Sequence, residues 1–348
     1  MKLSDYVKAM PKTELHIHLE GSIQPTTLMQ LAERNQVQLP VQTVEELTAL
    51  FRYENFDGFL KIFRTICDCL RTPADFELIT YEYGRSMAEQ NIRYAEVTFT
   101  PHSHTNETLT WEAMFEGIKA GRAKAAAEWG VQMQWIPDIS RNQPQTSAQV
   151  TEWLISPLAR EGGVVALGLG GPEVGFPPEM FEEHFTRARE AGLPGNPHAG
   201  ETVGPESVWG AIRSLHAVRI GHGVRAMEDP ALVAYLAEHQ IPLEVNPTSN
   251  VCLRVYPTHA DHPLKQLMEA GVVVTVNSDD PPLFNTTLNN EYYHAVADCG
   301  LSIEQLEQAA LNAVRVSFLP ETEKAAMLEN FKAEYARLRN GQPVELDD

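Results

Sequence analysis

The chain is poor in positive charge. It has 27 Lys and Arg against 47 Asp and Glu, a formal net charge of −20. Nucleic acid and anionic membrane both need a basic face, so neither is expected as a partner. No apolar run is long enough to span a bilayer, and the N-terminal MKLSDYVKAMPKTE has no signal-peptide core. Cysteine is scarce: Cys67, Cys69, Cys252 and Cys299 form no CxxC pair. That argues against a disulfide framework and for a reducing cytoplasm, with the thiols as small buried apolar groups. No Gly-rich stretch has the GxGxxG spacing, and no lysine lies between Lys124 and Lys265. Nothing in the sequence sets an oligomeric state.

What is present is a recurring short β-prone run followed by a helical pattern. The runs cover 13–18, 93–98, 131–137, 164–168, 196–199, 217–220, 241–246 and 272–277. Runs such as VVALGL and GVVVTV are too apolar for a half-exposed strand and suit a parallel sheet covered by helices. Asp229 is placed to cap PALVAYLAEHQ, and Gly192 to end MFEEHFTRAREAG. Eight β-then-α units predict one α/β domain over 1–348, a (β/α)8 TIM barrel, with a doubly wound sheet as the competing topology.

The stretch from about 20 to 90 is too long for one βα connection and predicts a helical insertion after strand one, over the barrel mouth. Within it Phe56, Phe59, Leu60, Phe63, Cys67 and Leu70 recur at helical spacing. That stripe reads as helix-packing core, with one or two phenylalanines free to form an apolar lid. The tail from about 339 to 348 is polar and expected to be frayed.

The chemistry-bearing residues sit at the ends of these runs. His16 and His18 are two apart on one strand, so both face the barrel interior. An HxH alone fits two packed histidines equally well. His198 ends the fifth run, His222 follows the sixth, and Asp279 and Asp280 follow the eighth. All belong to one end of a barrel, which is where such enzymes place their active sites. Imidazoles with one carboxylate suit zinc and leave a position for water. The lysine gap removes the carbamylated bridge of two-metal sites, leaving one Zn²⁺ per chain. Glu201, His222 and Asp280 remain as acid/base candidates. Asn246, Pro247, Asn277 and Pro281 read mostly as turn chemistry.

In order, TELHIHLEGS, GGPE, HAGE, RIGHG, PTSN and NSDDP resemble the adenosine/adenine deaminase family of the amidohydrolase superfamily, from about Pro11 to Leu319. The resemblance implies that His16, His18, His198 and Asp279 bind one Zn²⁺. It makes Glu201 the group that protonates purine N1, His222 the base towards the attacking water, and Asp280 its orienter. Gly171 would give a backbone N–H to purine N3. His18, Glu20, Asp280, Phe59, Leu60 and Phe63 would complete the substrate site, the last group as a lid gate. The implied reaction is hydrolytic deamination at C6 of a small-molecule purine nucleoside, adenosine or 2′-deoxyadenosine first. Adenine and 6-aminodeoxyfutalosine are the alternatives. Glu20 stands where nucleoside-specific members usually have Asp, and Gly171-Pro172-Glu173 replaces the family's Gly-Asp-Glu. The overall look is nearest to the bacterial branch, some of whose members act on 6-aminodeoxyfutalosine. A silent binder on this fold would have lost a ligand or Glu201, and all are present. The PCxxC of cytidine-type deaminases is missing.

Overall fold

The computed structural model describes residues 1–53, 56–104 and 109–347, apart from the side chain of Asp57. Eight strands are present: β1 (Lys12–His18), β2 (Ile92–Phe99), β3 (Gln132–Ser140), β4 (Leu167–Gly170), β5 (Gly195–Ala199), β6 (Ile220–His222), β7 (Leu243–Val245) and β8 (Val274–Val276). Each pairs in parallel with the next, in chain order. The sheet closes just past β8. Ile17 bridges to Asp279, the His18 N–H donates to Asp279 O at 3.0 Å, and the Asp279 N–H donates to His16 O at 3.1 Å. This is the expected (β/α)8 barrel, and the doubly wound alternative is excluded by the closure.

Four strands start two or three residues later than the β-prone runs suggested, β7 at Leu243 and β8 at Val274 by two and the other two by three. β4 begins at Leu167 and β6 at Ile220. Val164 makes only an isolated bridge to Trp135, and the Ala217 N–H is taken by Ala211 O of the preceding helix. β-propensity marks residues that fit a pleat, whereas the ladder decides which of them pair.

The outer helices obey local rules. Asp229 caps Pro230–His239 by accepting the Ala231 N–H at 2.9 Å. The helix Glu182–Glu190 stops just before Gly192, whose φ of +81° suits glycine. The long stretch after β1 holds helices Pro25–Arg34, Val44–Leu50, Phe56–Asp68 and Pro73–Glu89. Of these, Pro73–Glu89 is the barrel's own outer helix and lies against Trp111–Trp129, so the true insertion ends near residue 70. The tail, expected to be frayed, runs beside the N-terminus. Leu3 N–H donates to Glu345 O at 2.7 Å, Glu345 N–H to Met1 O at 3.0 Å, and Ser4 N–H to the Asp347 carboxylate at 3.0 Å. A polar tail can still be ordered when its backbone finds a partner.

Candidate active site

Alternation along β1 puts His16 and His18 on one face, and β5 and the β8 end bring His198 and Asp279 to them. One ligand atom from each of these four lies within 4.8 Å of the others. His18 Nδ1 stands 3.0 Å and His16 Nε2 3.4 Å from Asp279 Oδ1, and the rings of His16 and His198 are 4.5 Å apart. His16 Nε2, His18 Nδ1, both His198 nitrogens and Asp279 Oδ1 are buried without a protein hydrogen bond. Orphaned buried donors and acceptors are costly, and so many in one place signal a missing common partner. Three imidazoles and a carboxylate fit a zinc ion. Burial opposes the charge on Asp279, but the close imidazoles of His16 and His18 hold it well below the usual carboxylate range. Asp279 and His222 also have φ of +65° and +60°, a left-handed backbone that L-residues adopt reluctantly. Strand ends bent this way aim side chains inward.

The acid/base candidates border the same point. His222 Nε2 is 3.8 Å from Glu201 Oε1 and 3.8 Å from Asp279 Oδ2, and His18 Nδ1 is 3.4 Å from Asp280 Oδ2. Burial, with the charges of Asp279 and Glu173, pushes Glu201 well above the usual range. Burial thus favours the protonated form of Glu201. Burial also raises Asp280; His18 pulls against this and Asp279 adds to it. Glu173 holds the Glu201 loop, accepting from the N–H groups of Gly200 (2.9 Å), Glu201 (2.9 Å) and Thr202 (2.7 Å).

A supporting layer escaped the sequence reading. His16 Nδ1 is 3.1 Å from Glu244 Oε2, which fixes Nδ1 as the donor and frees Nε2 for a metal. Arg219 joins Glu244 (2.7 Å) to Glu96 (2.6 Å). Asn246 and Asn277, read as turn residues, are instead buried partners. Asn246 Nδ2 lies 3.3 Å from His222 Nδ1, and Asn277 Oδ1 accepts the Leu15 N–H at 2.9 Å. Their motifs looked like turns because both asparagines directly follow short strands.

A cavity of about 290 Å³ opens above this cluster. His18, His198, Glu201, His222, Asp279 and Asp280 line its floor, Gly171 one side, and Phe56, Phe59, Leu60 and Phe63 its outer wall. Cys67, expected to be core, also reaches it, whereas Leu70 is buried in the core. Phe59 stacks on Phe284 at 5.4 Å, and Phe63 stands edge-on to His18 at 6.4 Å. Gly171 has φ +87°, which glycine takes without strain.

Glu20 is the one expected substrate contact found elsewhere. It is fully buried and outside the cavity lining. Its Oε1 lies 2.7 Å from His104 Nε2 and accepts the Thr100 N–H at 3.0 Å. Burial opposes its charge, but His104 holds it below the usual range. In its place the structure adds Asp138, at the end of β3, to the lining. Gly168 and Gly170 leave room for that carboxylate, because a Cβ on either would collide with it. Its Oδ1 has no protein hydrogen bond, and burial pushes it up to about 7. A charged residue inside the apolar run of WIPDIS was the available signal.

Known proteins match this arrangement closely. A family model for adenosine deaminase covers residues 11–334. The chain is 44% identical over 324 residues to an aminodeoxyfutalosine deaminase of Streptomyces avermitilis, spanning 93% of this chain and 90% of that one. It is 39% identical over 312 residues to an adenine deaminase of Bordetella avium, spanning 90% and 98%. Among solved structures, adenine deaminase from Arthrobacter aurescens superposes with a TM-score of 0.89 at 34% identity, over 93% of this chain and 99% of that one. An amidohydrolase from Burkholderia ambifaria with bound Zn also gives 0.89, at 27% identity over 97% and 94%. No helix of the described residues is long and apolar enough to cross a membrane. Motif order, closed barrel and relatives agree across nearly the whole length, and so this chain is a hydrolytic deaminase of the adenosine deaminase family.

Proposed function

We propose that this chain deaminates a 6-aminopurine at C6, using one Zn²⁺ held by His16, His18, His198 and Asp279, and that its substrate is a nucleoside modified at the 5′ end, 6-aminodeoxyfutalosine. The observation that supports the reaction is a buried carboxyl, Glu201, whose burial favours the protonated form, beside a ligand set whose donor atoms lack protein partners. When bound, the metal supplies Lewis acidity that makes water a nucleophile near neutral pH.

The chain's own groups do the rest. Glu201 gives its proton to ring nitrogen N1, which draws electrons from C6 and makes it electrophilic. Water loses one proton to a base at the rim of the ligand set, for which His222 and Asp280 are the two candidates. The oxygen bonds to C6, the base passes the water proton on to N6, the C6–N6 bond breaks with loss of ammonia, and the proton of the new C6 hydroxyl returns to Glu201 as the 6-oxo group forms. The Gly171 N–H holds the far edge of the purine, and the phenylalanine wall keeps bulk water from the reacting atoms.

The 5′-modified nucleoside now stands ahead of adenosine for two reasons. The aminodeoxyfutalosine deaminases are close relatives at 44% and 43% identity. Glu20, the residue expected at the sugar's 5′ hydroxyl, is tied to His104 and outside the cavity. The adenine deaminases at 39% identity favour adenine as a second reading.

One panel tests both. Ammonia release is followed with adenine, adenosine, 2′-deoxyadenosine, 5′-methylthioadenosine and 6-aminodeoxyfutalosine. The highest kcat/KM is expected for 6-aminodeoxyfutalosine. A preference for adenine replaces the substrate, and no release from any of the five overturns the reaction.

A further inference from the structure

His222 has two ring nitrogens, and which of them carries the proton decides whether it can remove one from water. The hydrogen-bond network behind it answers that question. We propose that His262 and Asn250 are positioning residues that fix the proton of His222 on Nε2, so that His222 donates a hydrogen bond into the cavity and is not the base.

The backbone N–H of Leu264 can only donate, and it donates to His262 Nδ1 at 3.2 Å. His262 is 1% exposed, and burial lowers it to about 3, so its ring is neutral. A neutral imidazole whose Nδ1 accepts carries its proton on Nε2. That Nε2 lies 3.0 Å from Asn250 Oδ1, which fixes the amide orientation. The Asn250 NH2 is left to face His222, 3.2 Å from Nδ1.

A second anchor gives the same answer independently. Asn246 Nδ2 is 3.2 Å from Glu244 O, a carbonyl that can only accept. The same NH2 is 3.3 Å from His222 Nδ1. Two amide donors thus converge on one ring nitrogen, and Nδ1 is the acceptor. All four side chains are at most 1% exposed, so no bulk water competes for these bonds.

The consequence is chemical. His222 Nε2 is the nitrogen that faces Glu201 and Asp279, 3.8 Å from each. An N–H there cannot take a proton but can stabilise negative charge growing on the attacking oxygen. Of the two candidate bases Asp280 remains: the water O–H bond breaks, its proton goes to the Asp280 carboxylate, and the oxygen–C6 bond forms. His262 acts only through Asn250.

The test uses the full-length zinc-loaded protein, labelled with 15N in histidine. The His222 signals are assigned by their loss in His222→Gln. Ring 15N shifts of an Nε2–H tautomer are expected, and an Nδ1–H tautomer would overturn the proposal. Asn250→Asp replaces the amide donor with a carboxylate that only accepts. Its negative charge should outweigh the one remaining amide donor, Asn246, move the proton to Nδ1 and lower kcat by about a hundredfold, with KM and zinc content near those of the parent. His262→Gln keeps a side-chain N–H for Asn250 and should stay within about threefold in kcat, whereas His262→Leu should lose about tenfold. An unchanged tautomer and kcat in Asn250→Asp rejects the relay. The activity arms, run with 6-aminodeoxyfutalosine and adenosine, rest on the deaminase reading. The spectroscopic arm does not, so the two ideas fail separately.

Discussion

The floor of the cavity is made of strand ends from β1, β5, β6 and β8, and its outer wall is one inserted helix, Phe56–Asp68. On the floor His198, Glu201, His222, Asp279 and Asp280 are all at most 8% exposed, and the polar side chains are held by a second layer that includes Glu244, Asn246, Asn250 and Glu173. The wall offers Phe56, Phe59, Leu60 and Phe63; Phe59 packs on the rings of Phe284 and Tyr53, and Phe56 and Phe63 pack on Phe59. Directional bonds fix the position of reacting groups, and non-directional apolar contact tolerates repacking. Under the proposed function the floor sets the reaction and the wall sets what is admitted to it.

The contrast can be broken most severely at Asp279. Asp279→Ala removes a ligand atom and should abolish both zinc retention and turnover, read by metal content and ammonia release. A variant with full zinc and normal turnover would refute the ligand assignment. Next, Glu201→Gln should keep zinc and KM while kcat falls by about 10² or more. Near-normal kcat would reject its role as the acid.

The same residue makes a pH prediction. Glu201 is active when protonated, and burial raises its folded-state value, so activity should persist to higher pH than an ordinary glutamate would allow. Activity should then fall by about tenfold per pH unit only above that raised value. An ordinary glutamate would lose its proton from about pH 4.3 upward. The kcat/KM profile of the parent checks this, and an alkaline limb beginning that low counts against it.

Smaller effects are expected towards the wall. Asp138→Ala removes a carboxyl that faces the cavity and should lower kcat/KM by about tenfold with zinc content unchanged. Loss of zinc would instead make Asp138 a support for the metal. Phe59→Ala removes apolar contact and should raise KM by about tenfold with little change in kcat. A fall in kcat with constant KM would move the wall into the chemistry and erase the distinction between the two regions.

Much of the floor was legible because its signals are local. His16 and His18 share a face through the period of a strand, and His198 with Glu201, and Asp279 with Asp280, sit in short motifs after apolar runs. The bounds of β4 and β6 were less legible, because β-prone residues extend beyond the part of each run that pairs. The lid stripe was ambiguous for a similar reason. Helical spacing marks an apolar face without saying whether a core or a cavity covers it, and here Cys67 meets the cavity while Leu70 meets the core.

By itself the sequence determined the alternation of strands and helices, the barrel and which histidines and carboxylates end its strands, since each depends on spacing within a few residues. Tertiary structure alone decided what those groups are bonded to. Glu20 is withdrawn by His104, 84 residues away, His16 is oriented by Glu244 across 228 residues, and His222 is oriented by a chain that begins at the backbone of Leu264. The physical reason is that a hydrogen bond is set by distance and direction in space, and neither is written in the spacing of residues brought together only when β8 closes on β1.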